Sequence, residues 1–408
     1  MLWLGRQTQG TMFSGDRPLS VEWLIRDGAH CRKTIEVTDE SAMTDMRKAV
    51  RPVLVASERT ATEETTFLRR LLVGLADESL PVALVCPPGC DIERLVPAPV
   101  ELLAHPLVDL PLARGLGTEQ VAESLAKFKP TVVHCLCESS AATARRLSRR
   151  LDVPYVLSIH SLIGPFSRLP VSPRRCTKII APAETIRLSL GKTHPALADR
   201  AVTIDVGTFV EGGWLCFSDP TRVPSMVVAH PLDRVDDLRN FLLAVKALVA
   251  EGRDFVVILM GRGRAEHRLW QFLAAEGLSE VVTIVPPMNP WRSVLAAGDI
   301  FVRPQPIPRF SMFLLEAMSA GTAVAACRGG VDDLIVPEET ALVFDADDEV
   351  SIREVLARFL DDTESARQLA ARAQAHLRAK HSVSRMVGAY LETYCQAQQR
   401  YVKEATPV

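Results

Sequence analysis

The feature that most constrains the fold is an alternation of short apolar runs, rich in β-branched residues, with helical segments. Continuous apolar runs lie at 51–57, 131–137 and 154–161, and segments of about 10–15 residues with helical periodicity separate such runs. Strands that are apolar throughout are buried on both faces, and helical crossovers make neighbouring strands parallel. The pattern therefore predicts an α/β protein built on a doubly wound parallel sheet.

The alternation is interrupted once and then starts again, which predicts two domains. With 408 residues the chain is too long for one ordinary core. A stretch rich in glycine and proline at 209–223 is typical of a linker. We expect one Rossmann-like domain over 49–208, a second over 224–382, and a helix within 383–408 that packs back on the first domain. Residues 1–48 are turn-rich and form an added arm to which the sequence assigns no role.

Two glycine pairs of the second domain suggest a site for nucleotide phosphates. Gly261 and Gly263 follow a predicted strand and precede a helix, and Gly329 and Gly330 end another strand. Glycine lets backbone amides approach an anion closely, although a tight turn alone also explains glycine. Ligands of doubly wound folds bind at the carboxyl ends of the strands. Both pairs occupy such ends, which favours the phosphate interpretation.

The segment PRFSMFLLEAMSAG (308–321) carries one acid in an otherwise apolar helix. The helix is predicted to begin near Phe310 or Ser311, where its first amides form the positive end of the helix dipole. Glu316 follows one turn later, and a carboxylate at that place could hold both hydroxyls of a ribose. Ser311 and Glu316 are therefore candidate nucleotide-binding residues.

His160 ends a predicted strand of the first domain and is followed by a tight turn. A lone histidine is more often structural than functional. Its place at the end of a strand that faces the predicted cleft makes the two roles equally well supported, so we keep it as a candidate catalytic residue.

Composition excludes several classes of partner. The 47 basic and 49 acidic residues give a net charge of −2, which provides no long-range attraction for nucleic acid or an anionic membrane. No apolar run of transmembrane length occurs, and the first ten residues lack the apolar core of a signal peptide. The nine cysteines have no zinc-ribbon spacing. We expect a cytoplasmic protein without a metal, a membrane span or a nucleic-acid partner.

Four segments together resemble a known enzyme family. LLEAMSAGTAVAA (314–326) keeps, without gaps, the end of an E-x7-E helix followed by A-M-A-x-G-x-P-V-V-A, and GGVDDLIVPEETALVF (329–344) is similar to the motif that follows it. In the first domain, 130–160 resembles a segment that ends in T-x-H-G, and 178–190 resembles an R-I-I-A-x-S motif. The family is the GT-B-fold glycosyltransferases of the retaining, glycogen-synthase-like type, called family four.

The resemblance implies a fold, an activity and a site. The fold is GT-B, with two Rossmann-like domains facing each other across a cleft. The activity is transfer of a sugar, with retention and without a metal or other cofactor, from a nucleotide-diphosphate sugar to a glycan, lipid or small-molecule acceptor that the sequence does not identify. Glu316 and His160 would be the catalytic residues: Glu316 would hold the ribose, and His160 would orient the transferred sugar. Gly261 and Gly263 would line the phosphate loop, and Gly329 and Gly330 would flank the sugar.

The chain also departs from the family pattern at the donor site. Counting back from Glu316, the first glutamate of E-x7-E is replaced by Pro308. An arginine and a lysine that neutralise the diphosphate in the family fall on Pro231 and Asp236. The glycine-rich loop after the first strand is replaced by 57–64, which contains no glycine.

The lost cations matter because charge stabilisation of a leaving diphosphate contributes several kcal/mol in a dry cleft. Arg234 and Arg309 lie beside the departures and are the candidate replacements, with Arg303 and Arg328 as further ones.

Three hypotheses remain open from the sequence. The first is an active glycosyltransferase, favoured by the gapless second-domain match and by Glu316. The second is a catalytically silent GT-B protein that binds a nucleotide, a glycan or a partner protein in the same cleft, favoured by the missing residues. The third is a sugar-phosphate epimerase on the same double-Rossmann architecture.

Overall fold

The computed structural model describes most of the chain beyond the N-terminal arm. The described residues are 49–88, 100–104, 114–165, 167, 169–210, 212–213, 216–287, 294–295 and 297–405. The predicted arm at 1–48 lies outside them.

The first domain is a seven-stranded, fully parallel sheet with the order β3-β2-β1-β4-β5-β6-β7. Its strands are β1 (Pro52–Val55), β2 (Ala83–Cys86), β3 (Glu101–Ala104), β4 (Val132–Cys135), β5 (Tyr155–Ser158), β6 (Cys176–Ala181) and β7 (Ala201–Thr203). Its α-helices are α1 (Glu58–Thr62), α2 (Thr65–Asp77), α3 (Arg114–Ala126), α4 (Ala141–Leu151) and α5 (Glu184–Thr193).

The second domain is a six-stranded parallel sheet with the order β10-β9-β8-β11-β12-β13. Its strands are β8 (Ser225–Ala229), β9 (Val256–Met260), β10 (Val282–Val285), β11 (Ile300–Arg303), β12 (Ala323–Cys327) and β13 (Leu342–Phe344). The helices that follow are α6 (Asp236–Ala250), α7 (Glu266–Ala275), α8 (Met312–Ser319), α9 (Glu349–Asp361), α10 (Thr363–Lys380) and α11 (Val383–Ala405).

The predicted fold class is confirmed, and burial explains why the sequence revealed it. Every residue of β1, β2, β4, β5, β11 and β12 is buried, as expected for parallel strands covered by helices on both faces. Each sheet reverses its strand order next to its first strand: β1 lies between β2 and β4, and β8 lies between β9 and β11. Ligands of such sheets bind at these reversal points, beyond the carboxyl ends of the strands.

The final helix joins the domains. α11 packs against α2 and against β4, β5 and β6 of the first sheet, and the Tyr394 hydroxyl lies 2.8 Å from Nδ1 of the buried His134. One buried apolar cluster runs through the first domain, α8 and α11. In the part of the chain that the structure describes, no helix combines the length and apolar composition needed to span a bilayer.

The segment that replaces the family's glycine-rich loop folds as a short helix. Ser57 caps α1, because its side-chain oxygen accepts a hydrogen bond of 3.1 Å from the amide of Thr60. Serine at this position is among the favoured N-cap residues. Where the family has a glycine-rich loop, this chain therefore has a capped helix, and no glycine-lined loop follows β1.

Candidate functional site

The loops that follow β5 and β11 meet and pair across the two domains. The amide of Phe310 donates to the carbonyl of His160 at 2.9 Å, and the amide of Leu162 donates to the carbonyl of Pro308 at 2.7 Å. Proline has no amide hydrogen, so its carbonyl is the backbone group that can pair. At the position where the family pattern has a glutamate, this chain thus contributes a backbone acceptor that holds the domains together.

Helix α8 begins where the sequence predicted and places its acid at this junction. Ser311 is the N-cap, and its hydroxyl oxygen accepts a hydrogen bond of 3.2 Å from the amide of Leu314. Residues of α8 are almost all buried, and Glu316 is 0% exposed. The hydroxyl of Ser311 is used for capping, which fixes the start of the helix and hence the position of Glu316.

The carboxylate of Glu316 is held by the first domain. Arg70 of α2 binds it through both terminal nitrogens: Nη2 lies 2.8 Å from Oε2, and Nη1 bonds Oε1. The hydroxyl of Thr208 also donates to Oε1 at 3.0 Å. A carboxylate without solvent exposure is tolerated when it is paired and hydrogen-bonded, and a two-pronged arginine contact is the strongest form of such pairing. In this closed arrangement Arg70 binds the carboxylate of Glu316, which the resemblance assigns to binding the ribose.

Sequence reasoning missed Arg70, although the helix carries a signal. Arg70 lies three residues after Phe67 and four before Gly74, at the edge of the apolar face of α2, and it is 5% exposed. Its Nη1 also donates to the carbonyl of Gly207 at 3.3 Å, and its guanidinium lies 5.6 Å from the ring centre of Phe209. An arginine at the border of a buried face needs an acceptor, but periodicity does not show which acceptor it finds.

His160 forms a buried ion pair within the first domain. Its Nδ1 lies 3.1 Å from Oε2 of Glu64 at the start of α2, and its amide donates to Oε2 of Glu138 at 3.3 Å. Burial alone would lower the pKa of His160, but the charge of Glu64 and its hydrogen bond outweigh burial and raise the pKa. Burial would likewise raise the pKa of Glu64, whereas His160 and Arg59 lower it. Both shifts favour the charged forms of the pair, imidazolium and carboxylate.

We expect this pair to give the free energy of unfolding a pH dependence that a His160→Gln variant lacks. A histidine with a raised pKa stabilises the fold below its ordinary value of 6.5 and loses that contribution as pH rises through the folded pKa. A glutamate with a lowered pKa contributes above its ordinary value of 4.5 and loses its contribution as pH falls. The stability difference between wild type and variant should be largest between these two values. Urea titrations at about pH 5.5 and about pH 9 measure it, and a difference that is unchanged at the higher pH would contradict the assignment.

The glycine pair after β9 has a packing reason. A β-carbon on Gly261 would lie 2.1 Å from the carbonyl oxygen of His230, and one on Gly263 would lie 2.2 Å from the carbonyl carbon of Leu232. These close approaches let the loop after β8 lie directly on the loop after β9. The two glycines shape the carboxyl edge of the sheet beside β8, which is the reversal point of the sheet.

The glycine pair after β12 has a conformational reason as well. Gly329 and Gly330 have φ angles of +102° and +66°, and a β-carbon on Gly330 would lie 2.3 Å from the carbonyl oxygen of Ile307. Residues Ile307 and Gly330 form an isolated parallel bridge. The loops after β11 and β12 therefore pair with each other at the carboxyl edge of the sheet.

The two candidate replacement cations are on the surface beside acids. The side chain of Arg234 is 66% exposed, and its Nε lies 3.8 Å from Oδ1 of Asp237. The side chain of Arg309 is 41% exposed, and its Nη1 lies 3.6 Å from Oε2 of Glu63. Each carries its charge on the protein surface, and neither is buried at the junction. Among the described residues, no three histidine, cysteine or acidic side chains are grouped so as to hold a metal ion.

Two family models match the two domains. "Glycosyl transferase 4-like domain" matches residues 64–185, and "Glycosyl transferases group 1" matches residues 225–362. A D-inositol 3-phosphate glycosyltransferase of Arthrobacter sp. (strain FB24) is 28% identical over 356 residues, which cover 77% of this chain and 82% of that protein. The matches begin and end inside the two observed domains.

Solved structures share the two-domain arrangement. Anabaena Alr3699/HepE in complex with UDP and glucose aligns with a TM-score of 0.70 at 15% identity, covering 84% of this chain and 99% of that one. Sucrose-phosphate synthase of Thermosynechococcus elongatus aligns with a TM-score of 0.69 at 16% identity, covering 88% and 100%. At these identities the likeness is one of fold.

Proposed function

Because the chain belongs to the GT-B-fold glycosyltransferases of the family-four type, we propose that it transfers a sugar, with retention and without a metal, from a nucleotide-diphosphate sugar to a hydroxyl-bearing acceptor. The bond between the anomeric carbon and the diphosphate oxygen breaks. The acceptor oxygen forms its bond to the same face of that carbon, and the acceptor proton leaves with the diphosphate.

The observation that carries the proposal is the placement of Glu316. Its carboxylate lies at the domain junction, on the helix after β11, and already accepts a hydroxyl hydrogen bond from Thr208. Arg70 presents two donors to the two carboxylate oxygens, and the adjacent hydroxyls of a ribose also present two donors. The ribose can therefore replace Arg70 without leaving a carboxylate oxygen unsatisfied.

Exchange of Arg70 for a ribose requires the domains to separate at the junction. In the closed arrangement the backbone bonds from Phe310 to His160 and from Leu162 to Pro308 cross the cleft. These are two hydrogen bonds of ordinary length, each worth about 1 kcal/mol net. Donor binding must offset that amount together with the loss of the Arg70–Glu316 contact and of the apolar contacts between α8 and the first domain. We infer that the donor enters an open form, in which His160, held by Glu64, orients the transferred sugar.

Calorimetry with a panel of uridine, guanosine and adenosine diphosphate sugars tests the proposal. One donor should bind wild-type protein, and Glu316→Gln should weaken that donor about 10-fold or more, because hydrogen bonds to a charged acceptor contribute about 1.5–3 kcal/mol. The matched control is Glu251→Gln. Glu251 follows α6 and pairs with Arg253 and Arg353, on the edge of the sheet opposite the cleft.

The outcomes separate an enzyme from a binding protein. Slow release of free sugar from the bound donor, lost in Glu316→Gln, supports transfer. Binding without any release in the presence of candidate acceptors favours the catalytically silent alternative. If no donor binds, or if binding is indifferent to Glu316→Gln, the proposed donor site is wrong.

A further inference from the structure

Arg303, the last residue of β11, is buried with most of its hydrogen-bonding capacity unused. It is 2% exposed. Its Nη2 donates to the carbonyl of Gly329 at 2.8 Å, whereas Nε and Nη1 are buried and have no hydrogen-bond partner. A guanidinium carries five N–H donors and stays charged at every physiological pH. The fold therefore keeps a permanent positive charge, with two unused nitrogens, inside the second domain.

No acid in the described part of the chain forms an ion pair with Arg303. The groups whose charge acts on the pKa of Arg303 are the thiol of Cys327 and the carboxylate of Asp332. Oδ2 of Asp332 already accepts the amide of Gly329 at 2.9 Å and lies 3.6 Å from Nε of Arg328. The contrast with Arg70 is informative, since that equally buried arginine has a two-pronged carboxylate. Burial of an unpaired charge costs several kcal/mol, so a charge left in this state is expected to meet an anion that is not part of the protein.

The position of Arg303 is that of a ligand site. It ends β11, the strand next to β8 where the strand order reverses, and ligands of parallel sheets bind beyond the strand ends at such a reversal. Its guanidinium lies beneath the paired loops after β11 and β12, which are joined at Ile307 and Gly330. For an anion to reach the two unused nitrogens, these loops would have to part.

The two arginines that lie beside the departures from the family pattern, Arg234 and Arg309, already have carboxylate partners. Arg234 lies beside Asp237 and Arg309 beside Glu63, both on the surface. A surface arginine paired in water contributes little to binding, because its charge is screened and solvated. A buried arginine acts in a medium of low dielectric constant, where the same charge attracts an anion more strongly.

We propose that Arg303 is the cation that binds the diphosphate of the donor nucleotide, with Nε and Nη1 donating to phosphate oxygens. It replaces the arginine and lysine that the family pattern places at Pro231 and Asp236. The assignment rests on the proposed nucleotide-sugar function for the identity of the nucleotide, but the anion site itself is a property of Arg303.

Inorganic pyrophosphate and uridine diphosphate are the probes, titrated calorimetrically into wild type, Arg303→Met and Arg303→Lys. Loss of hydrogen bonds between charged groups predicts about 10-fold to 100-fold weaker pyrophosphate binding in Arg303→Met, with partial retention in Arg303→Lys. Uridine, which has no phosphate, should bind wild type and Arg303→Met with equal affinity. The control is Arg353→Met, because Arg353 pairs with Glu251 at the opposite edge of the sheet, and it should bind pyrophosphate as wild type does.

Thermal unfolding without ligand separates a binding role from a structural one. If the role of Arg303 is to bind an anion, Arg303→Met removes an uncompensated buried charge, so the Tm of the variant should equal or exceed that of wild type. Pyrophosphate should raise the Tm of wild type more than that of the variant. Pyrophosphate binding that is absent from wild type, or unchanged in Arg303→Met, overturns the proposal. Pyrophosphate binding through Arg303 together with failure of every nucleotide sugar would refute the proposed function and leave the anion site standing.

Discussion

Arg70→Met and Glu316→Met should destabilise the protein by similar amounts and have opposite effects on donor binding. Each substitution leaves one member of a buried pair without its partner. Breaking a buried ion pair in this way costs about 3–5 kcal/mol, and the pair here joins α2 of the first domain to α8 of the second. Donor affinity should fall strongly in Glu316→Met, which removes the acceptor for the ribose. In Arg70→Met the affinity should be retained or rise, because the competitor for that acceptor is gone.

The double variant completes the cycle. Arg70→Met with Glu316→Met replaces both charges by side chains of similar length, and such replacement of a buried pair is often neutral or stabilising. Its free energy of unfolding, measured by urea titration, should recover most of the loss of the single variants while donor binding stays absent. Each titration with donor is done at a temperature at which the variant is folded. Additive losses in the double variant would contradict the pairing, and loss of donor binding in Arg70→Met would contradict the exchange of Arg70 for the ribose.

The parts of the fold that could be predicted are those that local sequence patterns encode. Continuous apolar runs between helical segments predicted two parallel sheets, because a strand that is buried on both faces is apolar along its whole length. Helix α10 (Thr363–Lys380) was missed. Its buried residues are Ala366, Leu369, Ala370, Ala373, Gln374 and Leu377, and three alanines and one glutamine among six positions give weak apolar periodicity. Small side chains suffice there because α10 packs closely on α8 and β12.

Only the part of the site that lies within one short segment of the sequence could be predicted. Ser311 and Glu316 belong to one helix, whose start signal and acid are visible in fourteen residues. The partner of Glu316 is 246 positions away, in another domain, and no spacing encodes that distance. The same limit applies to Arg303: the sequence offered it as one arginine among four, and only the fold distinguishes a buried charge without a carboxylate from exposed charges beside one.

Gly330→Ala should lower the free energy of unfolding by about 2–5 kcal/mol. Two costs combine at this position. A φ of +66° places alanine in the left-handed region, at about 1–2 kcal/mol. The new β-carbon would also lie 2.3 Å from the carbonyl oxygen of Ile307, so the paired loops after β11 and β12 must move apart, and overpacking of this kind costs about 1–3 kcal/mol.

Gly252→Ala is the matched control for the second cost. Gly252 has a φ of +77°, and a β-carbon there would meet no atom within 4 Å, so its loss should be about 1–2 kcal/mol from conformation alone. Urea titrations of both variants measure the difference, which isolates the contact between Gly330 and Ile307. Because Arg303 lies beneath these loops, Gly330→Ala should also change pyrophosphate affinity, whereas Gly252→Ala should not. Equal stability losses in the two variants would show that the loops after β11 and β12 move apart at no cost in free energy. The pairing of these loops would then not be the barrier between an anion and Arg303.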